Sequence, residues 1–282
     1  MSDDKNLPVP QSRLSDEEIQ RELAELFRRG GRSKYARLLL AVMGSLPWVG
    51  GLLGAAGAYG AEREQGAAND LFRQWIESHR ERINDLGRSL LEIVARLEQL
   101  GDEIQYRIES PEYLAIVRKA FRSWDQADTE EKRRLIQNLL TNAAGTALCE
   151  DDLIRLFVEW IDQYHETHFK VIAEIYQEPG ITRGGIWTNI YGNPVREDSA
   201  EADLFKRLIR DLNIGGVIRQ PRETTPDGHF VKKAPARRKA RSPLLKSAFD
   251  DTEPYELTKL GEQFVHYTMN ELVARVEAPE AE

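Results

Sequence analysis

Cysteine is almost absent from this sequence. Cys149 is the only one among 282 residues, so no intramolecular disulfide can form, and the disulfide-stapled scaffolds of small secreted domains are excluded. A secretory leader is not expected either: the first residues (MSDDK) are acidic where a leader needs a basic start and an apolar run. The expected location is the cytoplasm. An excess of positive charge is lacking too, since the formal net charge is −8, which speaks against a surface coated for nucleic acid. The 41% hydrophobic and 30% charged residues still support a packed core, which excludes wholesale disorder.

The motifs of common enzymes are missing as well. No Gly-x-x-x-x-Gly-Lys-Ser/Thr loop is present to cradle phosphates. His165 and His168 lie three apart, but a zinc protease needs His-Glu-x-x-His with its ligands four apart, so they read as partly exposed histidines at a helix start. Cys149 is followed by Glu150, Asp151 and Asp152, with no neighbouring base to activate a thiolate. No cofactor, metal site or catalytic constellation is expected.

What the chain does contain is helical signal. Residues 1–13 are polar with Pro8 and Pro10 and read as a disordered tail. A helical bundle is expected over residues 14–148. Ser15 and Glu18 form a capping box at its start, with Ile19, Leu23, Leu26 and Phe27 as the apolar face of the first helix. Residues 38–61 carry no charge and match the ~20 residues of a membrane-spanning helix. Pro47, followed by Trp48, interrupts that run, and the segment reads as a helical hairpin. Gly51, Gly54, Gly57 and Gly60 recur every third residue and clear a strip for close helix packing. The segment is either a tightly packed core element or one that enters a membrane on activation.

The strongest periodicity lies over residues 69–100. Phe72, Ile76, Ile83, Leu86, Leu90, Ile93, Leu97 and Leu100, with His79 among them, alternate steps of four and three. That is the spacing of a heptad seam and predicts one long helix, facing either its own bundle or a second copy of the chain. Three or four shorter helices should follow. Ser110-Pro111 starts one, Asp128 with Glu131 caps the next, and Asp151 and Asp152 open a third.

Residues 149–282 change pattern and read as a winged-helix-like domain. Helices near residues 166–177 and 183–190 precede a third with Ser199 as N-cap; Gly215-Gly216 then turns into a strand candidate over 216–220. Residues 224–228 (TTPDG) supply turn chemistry, with His229, Phe230 and Val231 as the start of a return strand. Three helices and a hairpin is the order of a winged helix. Between residues 206 and 241, eleven basic residues face three acidic ones, a local excess of +8 that leaves −16 on the remainder. Lys206, Arg207 and Arg210 lie on the third helix, and Lys232, Lys233, Arg237, Arg238, Lys239 and Arg241 in an insertion over 232–246. These residues would bind DNA phosphates or another anion, although Glu201, Asp203 and Asp211 on the same helix oppose that role.

Leu257, Thr258, Leu260, Gly261 and Phe264 resemble the Leu-Thr-x-Leu-Gly-x-x-Phe strand-to-helix element found at the end of bacterial winged-helix domains. The order of a Gly-rich apolar segment, a helical middle containing residues 135–144 (LIQNLLTNAA) and a winged-helix-like end resembles the Abi-alpha family of bacterial abortive-infection proteins. The resemblance implies a non-enzymatic phage-defence effector whose helical part is membrane-active or binds a protein partner, becoming membrane-associated when activated. It carries no catalytic residues. The alternative is a winged-helix DNA-binding regulator that its long helix makes a homo-oligomer.

Overall fold

Apolar residues at helical spacing dictate most of the architecture. The computed structural model describes residues 34–49, 77–193, 195–221, 225–227, 229, 231 and 247–270. These residues form a mainly α-helical protein with one small two-stranded antiparallel sheet. The tail 1–13, the capping box at Ser15, the glycines Gly51, Gly54, Gly57 and Gly60, the seam residues Phe72 and Ile76, and the cations Lys232, Lys233, Arg237, Arg238, Lys239 and Arg241 lie outside the described residues. The chain divides into two compact units, Met1–Asp125 and Gln126–Glu282. That division comes earlier than residue 149, because the helix built from residues 135–144 packs with the C-terminal elements.

In the first unit, α1 (Ala36–Met43) buries Leu38, Leu39, Ala41 and Val42. Leu46 and Val49 beyond it are also buried, and the Trp48 indole N–H donates to Asp125 Oδ1 at 2.7 Å. The expectation of a membrane-active segment is corrected here. Among the described residues no helix is long and apolar enough to cross a membrane. Helix α1 has eight residues, about 12 Å at 1.5 Å per residue, against a hydrocarbon core of ~30 Å.

Helix α2 (Arg80–Gln99) starts after a break at His79, whose ring stacks on Trp48 at 6.0 Å. It is shorter than the long helix expected over 69–100. Leu86, Leu90, Ile93 and Leu97 are buried, but so are Asn84, Gly87, Ser89 and Val94. The covered arc is therefore wider than a two-in-seven seam. Ile83 and Leu100 are half-buried at its edges. Gly101, at φ +79°, turns the chain out of α2 in a conformation that residues with a Cβ rarely adopt. A short α3 (Gln105–Glu109) and then α4 (Pro111–Gln126) follow. Ser110 Oγ accepts from Tyr113 N–H at the start of α4, and the Trp124 indole donates to Ser89 Oγ at 3.1 Å.

The second unit begins with α5 (Glu130–Gly145). Its N-cap is Thr129, whose hydroxyl accepts from Lys132 N–H; Asp128, the expected cap, instead pairs its carboxylate with the Lys132 ammonium at 3.4 Å. Helices α6 (Asp151–Gln163) and α7 (Glu166–Gln177) lead to α8 (Arg183–Tyr191) and α9 (Ala200–Ile214). Ser199 caps α9 by accepting from Ala202 N–H. Strand β1 (Ile218–Arg219) pairs antiparallel with β2 (Glu256–Leu257), Ile218 opposite Leu257 and Arg219 opposite Glu256. Among the described residues the strand that pairs with β1 is thus near residue 256, whereas Phe230 of the expected return lies outside them. Thr225 N–H bonds to the His229 carbonyl across the turn, and no strand continues from it among the described residues. On the other side, Thr182 bridges Pro254, and Gly180 and Tyr255 N–H groups donate to the Tyr255 and Ile181 carbonyls.

Helix α10 (Lys259–Thr268) closes the unit and packs most extensively on α5. Every residue of the Leu-Thr-x-Leu-Gly-x-x-Phe element has a structural task in this closure. Leu257 is in the sheet, and Thr258 Oγ1 accepts from Gly261 N–H while donating to the Gly216 carbonyl at 2.6 Å. A Cβ on Gly261 would fall 2.2 Å from the Val217 carbonyl oxygen. Leu260 is half-buried, and Phe264 sits edge-on to Phe157 and Trp160.

Candidate functional site

The exposed side of α9 carries the most concentrated unassigned chemistry among the described residues. Ala202, Phe205, Leu208, Ile209 and Leu212 turn inward, which forces the charged residues of this 15-residue helix onto its outer arc. Together with Arg183 at the first position of α8, the arc lines a groove of about 590 Å³ formed by Arg183, Asp203, Lys206, Arg207, Ile209, Arg210, Asn213 and Ile214.

Three of its four cations already have partners. The Lys206 ammonium lies 3.6 Å from Asp203 and 3.7 Å from Glu197, and Arg207 Nε donates to Asp211 at 3.3 Å. Arg183 Nε donates to the Tyr255 hydroxyl at 2.9 Å, and its guanidinium lies over the same ring at 5.5 Å. Arg210 is exposed and has no acidic partner among the described residues. The groove is therefore a mixed surface in which, among the described residues, one guanidinium has no acidic partner. Leu204, 51% exposed, and Ile214, 78% exposed, add apolar area to the same arc.

Glu197, just before α9, ties this surface to a distant part of the chain. Its carboxylate accepts from Ala248 N–H at 2.9 Å and from the Ser247 hydroxyl. Those bonds, Ser247 first, hold its carboxyl below the usual range.

Behind α9 lies His168. Contrary to the expectation of partial exposure, it is buried, with its side chain 4% exposed. The neighbouring His165 is exposed, and its backbone N–H donates to His168 Nδ1 at 3.0 Å. The ring stacks on Tyr164 at 5.0 Å. His168 Nε2 makes no hydrogen bond among the described residues and lies 3.9 Å from Asp211 Oδ2. Burial, followed by the nearby His165, lowers the His168 pKa; burial raises the Tyr164 hydroxyl to about 12.

The groove thus brings together Lys206, Arg207 and Arg210, which the sequence singled out, with Arg183, Asn213 and Ile214, which it did not. Arg183 is separated from α9 along the chain, and its one local signal is the Thr182 cap that makes it the first helical residue. Pro47 and Trp48 lie in the other unit, where Trp48 is half-buried. Among the described residues no group of three or more His, Cys, Asp or Glu side chains could hold a metal ion. No protein-family model, curated protein or solved structure matches this chain.

Proposed function

We propose that this chain is a non-enzymatic defence protein of the abortive-infection type that works by binding a protein partner through the outer face of α9, within a winged-helix-like C-terminal domain. The observation that carries the partner is the composition of that face. Among the described residues Arg210 has no acidic partner, whereas Lys206 and Arg207 are paired to Asp203 and Asp211, and Leu204 and Ile214 are exposed on the same face. Arginine with exposed aliphatic residues inside a polar, charge-paired rim is the make-up of protein-binding patches, where arginine is over-represented among the residues that dominate affinity. The defence role is what the resemblance to the Abi-alpha family implies, a resemblance carried by the Gly-rich apolar segment, residues 135–144 and the winged-helix-like end.

The test is phage challenge of bacteria expressing the full chain, the Arg210→Glu variant or the Ile214→Asp variant. Both residues are exposed, so thermal unfolding should match the parent. Protection by the parent and its loss in both variants is expected. Absence of protection against every phage tried, or equal protection by the variants, refutes the reading.

A second reading, a DNA-binding regulator, is favoured by one observation: Arg183, Lys206, Arg207 and Arg210 line a single groove on the third helix of the order α7, α8, α9, β1, β2. Anisotropy of a labelled duplex separates the two. A binder of phosphates loses affinity with salt at a slope of about −0.9 per contact, whereas the protein-binding reading expects no binding even at low salt.

A further inference from the structure

The outer face of α9 is wired to a buried titratable group. Asp211 stands between two cations or potential cations: its Oδ2 accepts from Arg207 Nε at 3.3 Å and lies 3.9 Å from His168 Nε2. Arg207 lines the groove, and His168 is enclosed beneath it. The charged and titratable groups facing the imidazole are His165 at the start of α7, Asp211 and Arg207 on α9, and Tyr164 at the end of α6.

The hydrogen bonding sets the tautomer. Nδ1 accepts the His165 backbone N–H, so the neutral ring carries its proton on Nε2, the nitrogen that faces Asp211. That N–H is buried and makes no hydrogen bond among the described residues, while the carboxylate it faces is held by Arg207. A second proton can enter only at Nδ1, where it meets the His165 N–H head-on and makes the ring a cation beside Asp211.

We propose that His168, Asp211 and Arg207 form a proton-operated latch: a protonated His168 draws the Asp211 carboxylate inward and releases the Arg207 guanidinium into the groove. Acidification then raises the positive potential of the α9 face without any change of fold. No covalent step is involved; one proton is taken from solvent and one ion pair is exchanged for another. Burial and His165 hold the imidazole below its ordinary range, so the latch is closed at neutral pH and opens on moderate acidification. The latch rests on reading the α9 face as the working surface.

The test is an NMR titration of the full chain, labelled with nitrogen-15 and carbon-13, that follows the His168 ring and the Arg207 Nε–H from pH 7.5 to pH 5. The expected result is that Arg207 shifts with the same midpoint as His168. In His168→Gln the Arg207 signal becomes independent of pH; glutamine keeps an acceptor for the His165 N–H, as at the third helical position of a capping box. In Asp211→Asn, His168 titrates and Arg207 does not follow, so the pair remains testable if one variant fails to fold. A static Arg207 signal while His168 titrates, an Arg207 shift that persists in His168→Gln, or unfolding before His168 titrates would each overturn the latch. None of these readouts needs a binding partner, so failure of the partner-binding reading leaves the Arg207 response intact, and a static Arg207 leaves that reading standing.

Discussion

Asn142 on α5 donates its side-chain amide to the backbone carbonyl of Tyr267 at 3.1 Å, and so closes the end of α10 from a different helix. The same amide reaches the Asn270 carbonyl at 2.9 Å, and Asn138 one turn earlier donates to the Thr268 carbonyl at 2.8 Å. The last carbonyls of a helix have no partner within it. Here two buried asparagines supply the missing donors, which gives a physical reason for the pair of asparagines in residues 135–144.

Asn142→Leu should therefore destabilise the protein by about 1–3 kcal/mol, the cost of leaving buried acceptors unsatisfied. Asn138→Leu should do the same. Because both serve one helix end, the double variant should lose less than the sum of the two, measured by urea unfolding in a double-mutant cycle. Strict additivity would show that the two asparagines act independently.

Gly261→Ala tests the closure of α10 on the chain leading into β1. Helix propensity alone favours alanine by ~1 kcal/mol. The new Cβ would stand 2.2 Å from the Val217 carbonyl oxygen and 3.1 Å from its carbon, so backbone must move, at about 1–3 kcal/mol. A lower melting temperature is expected; an unchanged or higher one would mean that α10 moves away from Val217 at little cost.

Leu90 reports on how α2 is used. It is fully buried within one chain, so Leu90→Ala should cost about 2–5 kcal/mol as a core truncation. The unfolding midpoint should not depend on protein concentration. A concentration-dependent midpoint would place the heptad-spaced residues between two copies instead.

Acid stability follows from two histidines. Burial lowers the pKa of both His168 and His266 in the folded chain. The unfolded chain, with histidine at about 6.5, then binds more protons in the window between the two values. Stability is full above that window and is lost as pH falls through about 6.5 toward the depressed folded values. Melting temperatures between pH 7.5 and pH 5 should decline, and the decline should be shallower in His168→Gln with His266→Gln. An identical slope in the double variant would assign the acid sensitivity to carboxylates.

Much of the helical framework could be read from local signals. Ser110, Ser199 and Thr258 cap the helices they announce, because an N-cap is a contact between residues three apart. Asp128 lost that role to Thr129, since two adjacent residues offered an oxygen and only the extended backbone of Thr129 chose between them. His168 looked exposed because its spacing from His165 says nothing about which side of α7 is covered. The groove was half readable: Lys206, Arg207 and Arg210 share one helix, while Arg183 reaches them only through packing.

By itself, the sequence determined most of the helices, the Ser110, Ser199 and Thr258 caps, the apolar arcs and the charge pattern along α9, all of which depend on residues a turn apart. Tertiary structure alone decided that β1 pairs with residues 256–257, because strand pairing joins segments without regard to their distance along the chain. It also decided that Asn138 and Asn142 finish α10, that Gly261 lies against Val217, and that His168 sits behind Asp211. Each of these is a contact across long sequence separations, set by which faces the core brings together.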